Sequence, residues 1–121
     1  MNNPLALIVE DDQDLALIFS EAMRRAGFET EIFADGKAAL ARLARVAPAV
    51  VVLDLHLPRL SGRDILHQIR AEERLSKTRI ILTTADARMA HGLRDKADVV
   101  LLKPVSFDQL YLMAKRLRLR D

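Results

Sequence analysis

The sequence predicts an α/β domain built on a five-stranded parallel sheet with helices on both faces. Short apolar runs such as Leu5–Val9 and Val99–Leu102 are too continuous for a sheet wetted on one side. They read as strands buried on both faces, which is the habit of parallel sheets. Between them lie segments of helical apolar spacing, so strand and helix alternate five times along the chain. Three of the runs also exit directly into polar residues: Glu10-Asp11-Asp12, Asp54 and Lys103-Pro104.

In chain order, the first strand is Leu5–Val9. The helix after it carries Leu15, Ile18, Phe19 and Ala22 at helical spacing, with Asp12 or Asp14 as N-cap. Gly27 is its C-terminal stop, and Phe28 is placed to pack back on the last turn. The second strand is Glu29–Phe33, and Asp35-Gly36 opens an alanine-rich helix holding Ala39, Leu40 and Leu43, closed by Pro48. The third strand, Val50–Asp54, leads through Leu57-Pro58-Arg59-Leu60-Ser61-Gly62 into a helix with Ile65, Leu66 and Ile69. The fourth strand covers residues 79–83, a weaker helical stretch covers 87–97, and the fifth strand is Val99–Leu102. The last helix opens with a capping box, Ser106 and Gln109, and offers Leu110, Met113, Ala114 and Leu117 to the core.

Right-handed crossovers leave few arrangements for five such βα units. The flavodoxin-like (βα)5 order 2-1-3-4-5 places strands one and three side by side at the switch point, where open α/β sheets bind ligands. Those two strands end in Glu10-Asp11 and Asp54. Several carboxylates and a lysine at one edge repel or desolvate badly unless something charged is shared between them.

Composition narrows the function. The chain has 121 residues, read as a single domain over residues 1–121, and no cysteine, which excludes disulfides and thiolate chemistry. Its net charge of +2 is spread over interleaved acids and bases. The basic cluster Lys115, Arg116, Arg118 and Arg120 has only Tyr111 near it and reads as a solvated helix face, not a nucleic-acid stripe. The start, Met1-Asn2-Asn3-Pro4, has no basic leader and no stretch approaches spanning length, so the expected location is cytoplasmic. His67 and His91 read as surface residues.

Carboxylates from two adjacent strands make a hard-oxygen site suited to Mg2+. A carboxylate beside such an ion can attack a phosphoryl group, because the ion neutralises the transferring oxygens. Lys103 would add a second positive charge, and a hydroxyl from Thr83 or Thr84 would reach phosphoryl oxygens. Taken alone, Asp54 could equally be a turn aspartate; beside Glu10, Asp11 and Lys103 the functional reading prevails. Asp12 is better explained as a helix N-cap, with metal support second.

Four segments in order, Leu7-Ile8-Val9-Glu10-Asp11-Asp12, Val52-Leu53-Asp54-Leu55-His56-Leu57-Pro58 with Gly62, Thr83-Thr84-Ala85-Asp86 and Leu102-Lys103-Pro104, resemble the response-regulator receiver domain (CheY-like) of two-component signalling. The resemblance covers the whole chain. It implies that Asp54 accepts a phosphoryl group from a histidine kinase or phosphotransfer protein, and that Asp11 ligates Mg2+ directly. Glu10 would hold the metal through water, and the backbone carbonyl of His56 would complete the protein's share of the coordination. Thr84 rather than Thr83 would be the switch hydroxyl, Lys103 would pair with the phosphoryl group, and Lys103-Pro104 would be cis. The side chains of His56 and Asp86 occupy positions that tune phosphate lifetime in this family. The implied output is a downstream effector or a fused output domain, with nucleic acid reached only through that domain, no membrane, and room for a homodimer.

Two departures stand out. Nineteen positions separate Thr84 from Lys103, fewer than receivers usually have, so the fourth helix is expected to be short or irregular. Val100 stands where receivers commonly place an aromatic ring that moves inward on activation. The expectation is intact phosphorylation chemistry with output altered or routed elsewhere. The alternative is a degenerate receiver acting as a phosphorylation-independent interaction module. A true phosphatase or phosphotransferase ranks third, since 121 residues leave no room for a substrate cap.

Overall fold

The computed structural model describes residues 3–119. Met1, Asn2, Arg120 and Asp121, and with them the expectation about the leader and the last residue of the basic cluster, lie outside the described residues.

The elements are β1 (Leu5–Val9), α1 (Gln13–Arg25), β2 (Glu29–Phe33), α2 (Gly36–Leu43), β3 (Val50–Asp54), α3 (Gly62–Ala71), β4 (Arg79–Thr84), α4 (Ala87–Leu93), β5 (Val99–Leu102) and α5 (Phe107–Leu119), with a 3-10 turn at Glu73–Leu75. All strand pairs are parallel and the sheet order is β2-β1-β3-β4-β5, the flavodoxin-like arrangement. The two-residue period of each strand divides its apolar side chains between two cores. Ala6, Ile8, Val52, Ile81 and Leu101 pack with Phe19, Met23, Leu110 and Leu117 under α1 and α5. Leu7, Val9, Leu53, Ile80 and Leu82 pack with Leu43, Ile65, Ile69 and Leu93 under α2, α3 and α4.

The helix ends follow local chemistry. Asp12 caps α1 by accepting from the Leu15 N–H at 3.1 Å, which decides against Asp14. Asp35 caps α2, Ser61 caps α3 and Asp86 caps α4 in the same way. Gly27 adopts φ 105°, and the Phe28 N–H donates to the Met23 carbonyl at 3.1 Å while its ring enters the core. At α5, Ser106 Oγ accepts from the Gln109 N–H, the forward half of a capping box.

Several details differ from expectation, among them β4, which runs one residue further to Thr84, and β5, an edge strand whose Leu102 is exposed. Ile18 is exposed, because α1 turns Ala16, Phe19 and Met23 to the sheet; Met113 is likewise only half-buried. Pro48 does not end α2, which stops at Leu43. There Arg74, reaching across from the 3-10 turn, donates to the carbonyls of Leu43 and Val46 and satisfies chain ends that a local cap would otherwise serve. The 87–97 stretch is helical only to Leu93, and residues 94–98 are turn and bend, as the short interval demands.

Candidate functional site

The ladders run one residue past the ends of β1, β3 and β5, and so aim the polar residues. The Glu10 N–H donates to the Phe33 carbonyl at 3.0 Å, Leu55 N–H to Thr83 O at 3.0 Å, and Lys103 N–H to Thr84 O at 2.7 Å. Backbone bonding to the sheet therefore fixes where Glu10, Asp54 and Lys103 leave it. Lys103-Pro104 is cis. Behind Asp54, Gly62 packs so closely that an added Cβ would lie 2.1 Å from the Asp54 carbonyl oxygen. Only a glycine allows α3 to start there.

Glu10 and Asp54 are each 2% exposed, while Asp11 is open to solvent. One carboxylate oxygen from each of the three lies within 4.8 Å of the other two. Against these three acids stands one ammonium: Lys103 Nζ is 3.2 Å from Glu10 Oε1 and 3.4 Å from Asp54 Oδ1. Burial, seconded by the Asp54 charge, pushes the Glu10 carboxyl above its ordinary value, against the pull of the Asp12 N–H and Lys103. Burial alone would lower Lys103; the charges of Asp54 and Glu10 and the bonds to them outweigh it and leave the ammonium raised. The cluster is thus short of positive charge. Its all-oxygen donors fit a hard divalent cation better than a transition metal.

Among the described residues, the hydrogen bond and the ion pair to the Asp54 carboxylate fall on one oxygen. The His56 N–H donates to Oδ1 at 3.0 Å, and Lys103 approaches the same atom. Thr84, fully buried, keeps its hydroxyl 2.9 Å from His56 Nε2 and accepts from the Asp86 N–H at 3.0 Å. Thr83, its neighbour, is equally buried, and its hydroxyl has no hydrogen-bond partner among the described residues.

The structure thus brings together Glu10, Asp11, Asp54 and Lys103, with Thr84 joined to the group through His56. Asp12 acts as the N-cap, and its N–H donates to Glu10 Oε2 at 3.2 Å. The ring contact of His56 with Thr84 gives this side chain a partner, where the resemblance implied only a position that tunes phosphate lifetime. Its one sequence signal is that both residues leave neighbouring strands at the same edge, with Asp54 opposite Thr83. His91 is exposed as expected, but His67 is half-buried with Nδ1 3.3 Å from Lys96 Nζ. Arg118 is not wholly solvated either: its Nε points at the Gly27 carbonyl at 3.4 Å. Among the described residues, no helix is long and apolar enough to cross a membrane.

A doubly wound five-stranded sheet whose switch-point edge gathers buried acids, one lysine and one hydroxyl defines a class of α/β ligand-binding domain. Within that class the chain belongs to the response-regulator receiver domain family, whose model matches residues 6–115. It is similar to the sensory transduction protein RegX3 of Mycobacterium tuberculosis, 41% identical over 106 residues that make up 86% of this chain and 46% of that protein. It is also similar to the DNA-binding response regulator MtrA of Mycobacterium leprae, 32% identical over 116 residues, 95% of this chain and 52% of that one. The chain spans about half the length of these curated relatives. Among solved structures, the receiver domain of the Francisella response regulator 1452 superposes with a TM-score of 0.85 at 28% identity, covering 98% of both chains.

Proposed function

We propose that this receiver domain of a two-component response regulator takes a phosphoryl group onto Asp54. The observation that carries the reading is the charge balance of the edge: three converging carboxylates, two of them almost fully buried, share one lysine. Such a site is short of positive charge until a cation arrives and is shaped for an anion that brings its own.

Asp54 Oδ1 is engaged by the His56 N–H and Lys103, so Oδ2 is the oxygen that attacks. As the Oδ2–P bond forms, the P–N bond of a phosphohistidine donor breaks, and its electron pair stays on the donor's imidazole nitrogen. Lys103, 3.4 Å from Oδ1, stands ready to hold a phosphoryl oxygen. The Thr84 hydroxyl is the second donor to that group. Glu10, Asp11, Asp54 and the His56 backbone carbonyl would hold Mg2+, which supplies neutralisation of the transferring oxygens when bound. Thr83 stays outside this chemistry.

In this reading the chain is not an enzyme acting on a separate substrate; its chemistry is its own phosphorylation and dephosphorylation. Its partners are a histidine kinase or phosphotransfer protein upstream and an effector or fused output domain downstream, in the cytoplasm. The DNA-binding description of MtrA supports an output domain in a longer protein as the route to nucleic acid. A degenerate, phosphorylation-independent module finds no support in a cluster this complete.

Intact-protein mass after incubation with acetyl phosphate tests the reading. One phosphoryl adduct that needs Mg2+ and is absent from Asp54→Ala is the expected result. No adduct in the wild type, with no binding of beryllofluoride, would overturn it.

A further inference from the structure

We propose that the His56 imidazole is the resting partner of the Thr84 hydroxyl, and that it gives this hydroxyl up when Asp54 carries a phosphoryl group. The inference rests on the function proposed above and extends it to a side chain that has no role in the transfer itself.

A threonine hydroxyl has one proton to donate and two lone pairs to accept with. In the fully buried Thr84, one lone pair is taken by the Asp86 N–H at 3.0 Å. If His56 also donated to this oxygen, the hydroxyl proton would be buried with no acceptor, an arrangement folded proteins avoid. Among the described residues, His56 Nε2 at 2.9 Å is the acceptor on hand. The bond therefore runs from Thr84 O–H to Nε2, which requires the neutral ring with its proton on Nδ1. Any phosphoryl oxygen on Asp54 that binds Thr84 must claim that same single proton. The two acceptors exclude one another.

His56 is well placed to make this exchange register. Its backbone N–H holds Asp54 Oδ1 at 3.0 Å while its ring holds Thr84, so one residue touches both the acceptor and the hydroxyl that follows it. Its side chain is otherwise exposed, on the loop between β3 and α3. Losing Thr84 frees the ring to leave its position and alters a solvent-facing surface of that loop. His56 is thus a positioning residue: it fixes the direction of the hydroxyl proton before the reaction.

The test is NMR of the ring nitrogens in the isotope-labelled chain at about pH 8, above the ordinary imidazole range. Beryllofluoride with Mg2+ serves as the phosphoryl-like probe. At rest, His56 is expected to show one tautomer, Nδ1 protonated and Nε2 accepting, and Thr84→Val to lose that signature. Adding the probe to wild type should likewise shift Nε2 to the value of a ring without a donor, while adding it to Thr84→Val leaves the ring unmoved. Mixed tautomers in the resting wild type would overturn the inference. So would ring signals that stay put while the Asp54 and Thr84 amides report binding, a result that leaves the receiver function standing. No response at any amide would instead strike the receiver reading, and this inference with it.

Discussion

Thr83 and Thr84 are neighbours of the same type, both fully buried, yet their hydroxyls have opposite circumstances. Among the described residues Thr84 Oγ1 has two partners, and Thr83 Oγ1 has none. An unpaired buried hydroxyl carries a desolvation penalty that a methyl group of the same shape would not. Thr83→Val is therefore expected to stabilise the domain by about 1 kcal/mol and leave phosphorylation by acetyl phosphate intact. Thr84→Val should cost about 1–2 kcal/mol, since it strands the Asp86 N–H. Urea unfolding of both variants checks the pair; equal effects would mean that the two hydroxyls have the same surroundings after all. No propensity rule could have told these residues apart, because both suit a strand. The acids and Lys103 were legible from the way they follow buried runs. The ring contact of His56 was not, because it depends on a rotamer that spacing does not encode.

At the scale of the element, β1 and β3 match their sequence-derived bounds because buried parallel strands announce themselves as unbroken apolar runs. β5 matches as an apolar run although it lies at the sheet edge, and β2, an edge strand of mixed polar and apolar residues, matches because Gly27 and Asp35-Gly36 bracket it. Helix ends were readable where a short polar side chain caps locally, as Asp35 and Ser106 do. The end of α2 was not, because its cap comes from Arg74, about 30 residues downstream. Arg74→Met keeps much of the side-chain bulk and removes the donors to Leu43 and Val46. The expected loss is about 1 kcal/mol in urea unfolding, with hydrogen exchange at the end of α2 rising most. Unchanged exchange there would show that water serves those carbonyls equally well. The same helix is tied to β2 by a two-pronged pair, Arg42 Nε to Glu31 Oε1 at 2.8 Å and Nη2 to Oε2 at 3.0 Å. The bond to Arg42 lowers the Glu31 pKa from its ordinary 4.5. A lowered carboxyl stabilises the fold above the unfolded-state value and loses that contribution as pH falls through the folded one. Arg42→Met should thus lower the unfolding midpoint slightly at neutral pH and not at all once Glu31 is protonated. The effect is small, because both groups face water.

For the molecule as a whole, the acidic edge places a standing load on stability. A domain of this size unfolds in one cooperative step, so repulsion confined to one edge weighs on the entire fold. The raised Glu10 carboxyl is the mark of that load, caused first by burial and then by Asp54. Removing the Asp54 charge should relieve it: in chelator at neutral pH, Asp54→Asn is expected to be more stable than wild type by about 1 kcal/mol, the scale of one unit-charge interaction at about 4 Å in bulk water. The advantage should fade as pH falls through the raised Glu10 value, because protonated Glu10 no longer repels Asp54. Mg2+ should reverse the order. A ligand that binds only the folded state adds about 2.7 kcal/mol at a hundredfold excess over its Kd, and the variant, lacking one of three carboxylates, binds it more weakly. Urea unfolding of both proteins, with chelator and with Mg2+, reads all of this in one series. Equal gains from Mg2+ in the two proteins would place the ion away from Asp54. A variant no more stable than wild type in chelator would show that Lys103 alone balances the cluster.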